Sequence, residues 1–139
     1  MSSKYIDTTS IMQVIGCVYK NPYLLDFTDK YTITDEDFAN EFHRVIFGAI
    51  YKIHELGAKI ISLETLSDFF SSRPKSGAIY TKENGEQWIL RVADAASQST
   101  FDFYYNRLKK MTLLRAYDNY GVNVTDIYDP DNILDTKKK

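Results

Sequence analysis

Apolar residues recur along this chain at intervals of three and four, the spacing of helices that bury one face. Between Ser10 and Lys20, Ile11, Val14, Ile15 and Val18 stand at i, i+3, i+4 and i+7. Thr8, Thr9 or Ser10 can cap that helix. Asn21-Pro22 ends it, because a residue before proline avoids helical angles. Gly16 falls mid-helix, where glycine costs about 1 kcal/mol against alanine, so its presence implies close approach by a neighbour. The stretch DEDFANEFHRVIFGAIYKIHEL, residues 35–56, carries the cleanest stripe: Phe42, Val45, Ile46, Ala49, Ile50 and Ile53. Thr34 or Asp35 is expected to cap it, and Gly57 to stop it with a left-handed backbone.

Ser62 opens another helix with Leu63, Leu66, Phe69 and Phe70 inward, broken at Arg73-Pro74. Lys75 to Glu83 has the composition of a loop. Asn84-Gly-Glu-Gln87 reads as a capping box for a helix bearing Trp88, Ile89, Val92, Ala95 and Ala96. Ser99 or Thr100 caps the last and longest helix, whose stripe changes phase. Phe101, Tyr104, Leu108 and Met111 occupy its first half. Leu114, Tyr117, Gly121, Val124 and Tyr128 follow at steps of 3, 4, 3 and 4. The first stripe is expected to pack on the domain, and the second to form a short coiled-coil seam toward a partner. No Asn-Gly or Asp-Gly turn joins two alternating segments. The expected fold is all-α, a compact bundle of about six helices with a long C-terminal helix.

Composition narrows the functional classes. The chain has 139 residues, 44% of them hydrophobic and 26% charged, enough for one domain with a core. Its formal charge of −2 supplies no field for holding nucleic acid. The basic set Arg107, Lys109, Lys110 and Arg115 therefore reads as a solvated face before it reads as a DNA contact. One cysteine, Cys17, permits no intrachain disulfide and fits a reducing compartment. The start lacks the apolar run of a signal peptide, and no stretch suits a bilayer, so a soluble, cytoplasmic protein is expected.

Candidate chemistry is thin. His43 and His54, eleven apart on one helix, lie about 16 Å apart along its axis and cannot share a metal. They read as half-exposed histidines at the edge of a core helix. Asp35, Glu36 and Asp37 suit a helix start, where the dipole favours negative charge. No phosphate-binding G-x-x-x-x-G-K-[ST] run exists. No catalytic, cofactor or metal residue is expected, and enzymatic activity of this chain is left open. Eleven tyrosines, among them Tyr104, Tyr105, Tyr117, Tyr120 and Tyr128 of the last helix, suit either a protein interface or the domain's own core.

The order of motifs resembles the N-terminal domain of DnaB-like replicative DNA helicases. Val14-Ile-Gly-Cys-Val-Tyr-Lys-Asn-Pro22 is similar to that family's first helix. Asp37-Phe38 with His43-Arg44-x-Ile46-Phe47 resembles its DF…HRxIF segment, and Gly57-x-x-Ile60 with Thr65-Leu66 its short loop and following helix. Gly85-x-x-Trp88-Ile-Leu90 stands at a G-x-x-Y-L position, and Tyr105 to Arg115 resembles a Y…REx-ALLR stretch. Ser62 replaces a usual Asp, and Ser99-Thr100 an Ala-Asn pair, departures that suggest a divergent, phage-type member. The resemblance implies a tail over 1–10, the family domain over 11–128 and a linker or tail over 129–139. The last helix would then be the first arm of a helical hairpin that pairs subunits. It further implies an assembly collar that self-associates and docks primase or a helicase loader. DNA would be met only through a parent protein whose ATP and Mg sites lie on a further domain. A stand-alone phage-type adaptor that binds a host replicative helicase is the alternative. Leu114, Tyr117, Gly121, Val124 and Tyr128 are the expected interface.

Overall fold

The computed structural model describes residues 5–119. Six α-helices carry them: α1 (Thr8–Lys20), α2 (Glu41–Glu55), α3 (Leu63–Ser71), α4 (Pro74–Lys82), α5 (Gly85–Ala95) and α6 (Phe101–Asn119). Short 3-10 turns at Pro22–Asp26, Asp35–Asp37 and Gln98–Thr100 link some of them, and no strand occurs among the described residues. The fold is all-α, as the spacing predicts.

Helix α1 runs through the middle, packed on α5, α6 and α2. Val14, Ile15, Cys17 and Val18 are fully buried. Gly16 has the close neighbour its position implies: a Cβ there would lie 2.4 Å from the Val92 carbonyl oxygen and 2.8 Å from Ala96 Cβ. Side chains of α1 also close the C-terminal end of α5. Lys20 Nζ donates to the Ala96 carbonyl at 2.7 Å, and Gln13 Nε2 to the Ala95 carbonyl at 3.2 Å. These groups satisfy carbonyls that have no partner within the helix, and the lysine suits the negative end of the dipole.

The stripe of α2 meets α1, α3 and α4. Phe42, Ile46, Ala49, Ile50 and Ile53 are buried, and Val45 is half-buried against them. Gly57 follows with φ +113°, as a helix-stopping glycine should. Ser62 caps α3, its hydroxyl accepting from the Thr65 amide at 3.2 Å.

Four local expectations give way. Asp7, not Thr8, Thr9 or Ser10, caps α1, its carboxylate accepting from the Ser10 amide at 3.1 Å. Residues 35–56 are not one helix. Thr34 opens a 3-10 turn over Asp35–Asp37, the chain extends at Phe38, and α2 starts after a new cap, Asn40. Arg44 fixes that break by donating from one nitrogen to the Phe38 and Ala39 carbonyls, at 2.8 and 3.0 Å. Lys75 to Glu83 is no loop but α4. Pro74 starts it with a preset φ, and its Tyr80 ring stacks on Phe70 at 4.4 Å. Asn84 precedes α5 in a left-handed conformation, φ 54°, and its side chain makes no cap bond, so the expected capping box is absent. The tail expected over 1–10 is likewise built into the domain from Tyr5 onward. The boundary expected at 128 lies outside the described residues.

Candidate assembly surface around the last helix

The buried edge of α6 turns, as its sequence implies. Phe101 and Leu108, seven residues apart, join the main core. Met111 and Leu114 follow at three-residue steps, each about 60° short of a full turn. They pack in a separate cluster with Tyr5, and Tyr117 lies partly buried against it. Leu114 is therefore not bare: it is 2% exposed beneath a side chain of its own molecule. Gly121, Val124 and Tyr128, with Tyr120, fall outside the described residues. On the first half, Tyr104 and Tyr105 cover the molecule's own core, and Tyr31 meets Phe101 and Tyr105 edge-on at 4.8 and 5.0 Å.

Polar bonds hold α6 where its apolar edge turns away. Asp37 is fully buried and gathers three donors. Lys109 Nζ donates at 2.9 Å, the Thr112 hydroxyl at 2.6 Å and the Thr34 amide at 2.9 Å. Lys109 also donates to the Thr32 carbonyl at 2.7 Å, beside the Tyr105 hydroxyl, which accepts from the Thr32 amide at 2.7 Å. Arg115 donates to the Tyr5 carbonyl at 2.7 Å and to the Glu36 carbonyl at 2.8 Å. Burial lowers its pKa, with Asp37 opposing. Arg107 Nε meets Asp7 Oδ2 at 2.8 Å. Burial raises the Asp7 pKa, but hydrogen bonds from Arg107 and Ser10 and the charge of Arg107 outweigh it and hold the carboxyl below its ordinary value.

The basic set is thus neither a solvated face nor a DNA-facing one. Three of its members bind this molecule's own carboxylates and carbonyls, and Lys110 is 2% exposed. In the sequence Asp37 reads as one of three charges favoured at a helix start and as part of the Asp37-Phe38 pair, and neither reading shows the three donors it gathers.

The two histidines have separate surroundings. His43 packs on Phe42 and Trp88, with centroids 5.8 and 5.3 Å away, and its Nδ1 has no hydrogen-bond partner among the described residues. Burial pushes its pKa down, with Glu83 opposing. His54 meets Asp26 through Nε2 at 2.8 Å and the Ala58 carbonyl through Nδ1 at 3.2 Å. No three His, Cys, Asp or Glu side chains converge on a metal-sized site among the described residues. An open groove of about 350 Å³ runs between the end of α2 and α3, past Ile53, Leu56 and Phe69. Leu56 and Ile60, 75% and 83% exposed, are the barest apolar side chains described. No helix among the described residues is long and apolar enough to cross a membrane.

Compared with known families, residues 9–110 match the DnaB-like helicase N terminal domain. The chain belongs to that family. The match takes in α1 to α5 and the first half of α6, and stops before Met111, where the buried edge turns. This DnaB-like domain is also similar to the SPbeta prophage-derived uncharacterized protein YorI of Bacillus subtilis (strain 168). The two are 30% identical over 133 residues, 96% of this chain and 26% of that protein. The DnaB-like chain thus spans about a quarter of the length of the curated relative it matches. No solved structure matches it.

Proposed function

We propose that this DnaB-like domain is the assembly and collar module of a replicative DNA helicase in the cytoplasm. It associates with copies of itself through the distal part of α6 and docks primase or a helicase loader. ATP- and Mg-dependent unwinding would belong to a region outside this chain. The observation that carries the reading is the family match across the helical head. The turn in the buried edge of α6 supports it by starting a second stripe, Leu114 and Tyr117, that the sequence extends through Gly121, Val124 and Tyr128.

Sedimentation across a range of concentrations tests this reading. Because Leu114 is buried under Tyr5, its replacement would disturb the fold, so the informative variant is Tyr117→Asp. The wild-type chain is expected to self-associate, and Tyr117→Asp to weaken that association with its helix content unchanged. A wild-type chain that stays monomeric at its highest soluble concentration contradicts the reading, as does ATP hydrolysis by the purified chain.

A second reading, a phage-type adaptor that binds a host replicative helicase, is supported by the prophage origin of the similar protein. Co-purification with a helicase deprived of its own N-terminal domain would favour it.

A further inference from the structure

One asparagine of the chain, Asn84, is followed by glycine. The pair lies at the turn between α4 and α5. Asn84 is exposed, and its side chain makes no cap bond. Gly85 carries no Cβ to shield its backbone nitrogen from that side chain. The pair therefore holds the groups for an internal reaction. The Gly85 nitrogen, on losing its proton to hydroxide, bonds to Asn84 Cγ, and the side-chain nitrogen leaves as ammonia. Water then opens the resulting succinimide ring to an aspartyl or an isoaspartyl residue, with no change of oxidation state.

The fold holds the reacting atoms apart. Asn84 sits at φ 54° and ψ 50°. For an L residue at that ψ, the next nitrogen lies across the Cα–C bond from Cβ, so attack on Cγ needs ψ turned through about half a circle. Backbone bonds resist the turn: the Asn84 amide donates to the Thr81 carbonyl at 3.1 Å, and the Asn84 carbonyl accepts from the Trp88 amide at 3.0 Å. Gly85 also lies against the Tyr80 ring, which any Cβ there would overlap. That ring is 8% exposed and stacks on Phe70. Turning ψ breaks the Trp88 bond and lifts Gly85 from Tyr80. We infer that Asn84-Gly85 is a self-modification site that the native fold keeps shut, and that its conversion reports opening of the α4–α5 turn. The native rate is then the unfolded rate multiplied by the fraction of molecules with the turn open.

Peptide mapping by mass spectrometry tests the inference on the full chain aged in mildly alkaline buffer, native and unfolded in urea. The native chain is expected to convert at position 84 at least about tenfold more slowly than the unfolded chain. Tyr80→Ala is expected to speed native conversion and leave the unfolded rate alone, with helix content followed by circular dichroism. Tyr80→Phe keeps the ring and removes only a hydroxyl without a hydrogen-bond partner among the described residues, so it is expected to leave both rates alone. If Tyr80→Ala loses helix, Tyr80→Leu takes its place. Equal rates in the native and unfolded chain overturn the shut site. Slow native conversion that the folded Tyr80 variant does not quicken overturns the gate at the α4–α5 turn.

Discussion

Helices α2 and α6 are both long, and both lie against the core, but they are held in different ways. One unbroken apolar stripe fixes α2 from Phe42 to Ile53. The buried edge of α6 serves the main core only through Leu108. Beyond it, a small cluster and a set of polar bonds take over, from Lys109 and Thr112 to Asp37 and from Arg115 to Tyr5 and Glu36. A regular stripe needs nothing but burial. Where the stripe turns, directional bonds must supply the orientation that burial no longer does.

The difference can be broken or sharpened by substitution, starting at the core. Ile50 is fully buried, so Ile50→Ala is expected to cost about 2–5 kcal/mol in denaturant unfolding, with all probes moving together. Gly16→Ala comes next. Its methyl would meet the Val92 carbonyl and force α1 from α5, at about 1–3 kcal/mol by thermal unfolding. Asp37→Asn acts on the other region. It leaves Lys109 and Thr112 with a weaker acceptor, at about 1–3 kcal/mol. Amide exchange should quicken over Leu113–Asn119 while α2 stays protected. Equal quickening in both helices would erase the contrast.

The smallest effect is in pH, and it separates the regions by range. His43, on α2, has a folded pKa below its ordinary 6.5. The unfolded chain therefore takes up the proton first, and stability falls as pH drops below about 6.5, until the folded form protonates as well. Asp7, beside α6, also has a lowered pKa, but its charged form is the favoured one. Its contribution is complete above the ordinary 3.8 and is lost as pH falls through the folded value. Urea unfolding against pH should show both slopes. His43→Gln should flatten the upper slope alone, and Asp7→Asn the lower.

Legibility in the sequence followed the same division. Spacing identified the stripes of α1 and α2, the stop at Gly57 and the cap at Ser62, because each depends on neighbours along the chain. It also located the turn in α6 and the crowding at Gly16. It missed α4, whose nine residues are too polar to show a period and whose order comes from Pro74 and the packing of Tyr80 on Phe70. It missed Asn40 because three acids ahead of it look like a better start. The bonds that tie Asp7 to Arg107, Asp37 to Lys109 and Thr112, and Arg115 to Tyr5 and Glu36 were beyond reach, since those partners lie 72 to 110 residues apart along the chain. Spacing alone left Leu114 open to a partner, because nothing local announces that Tyr5 covers it.

The central proposal is that copies of this chain meet along the distal part of α6. Disulfide trapping of Tyr117→Cys reads this most directly, with Lys75→Cys on exposed α4 as the reference and Cys17 buried too deep to compete. The account predicts rapid, concentration-dependent dimer formation through position 117 and little through position 75. Equal trapping at both positions, or none at 117, would contradict it.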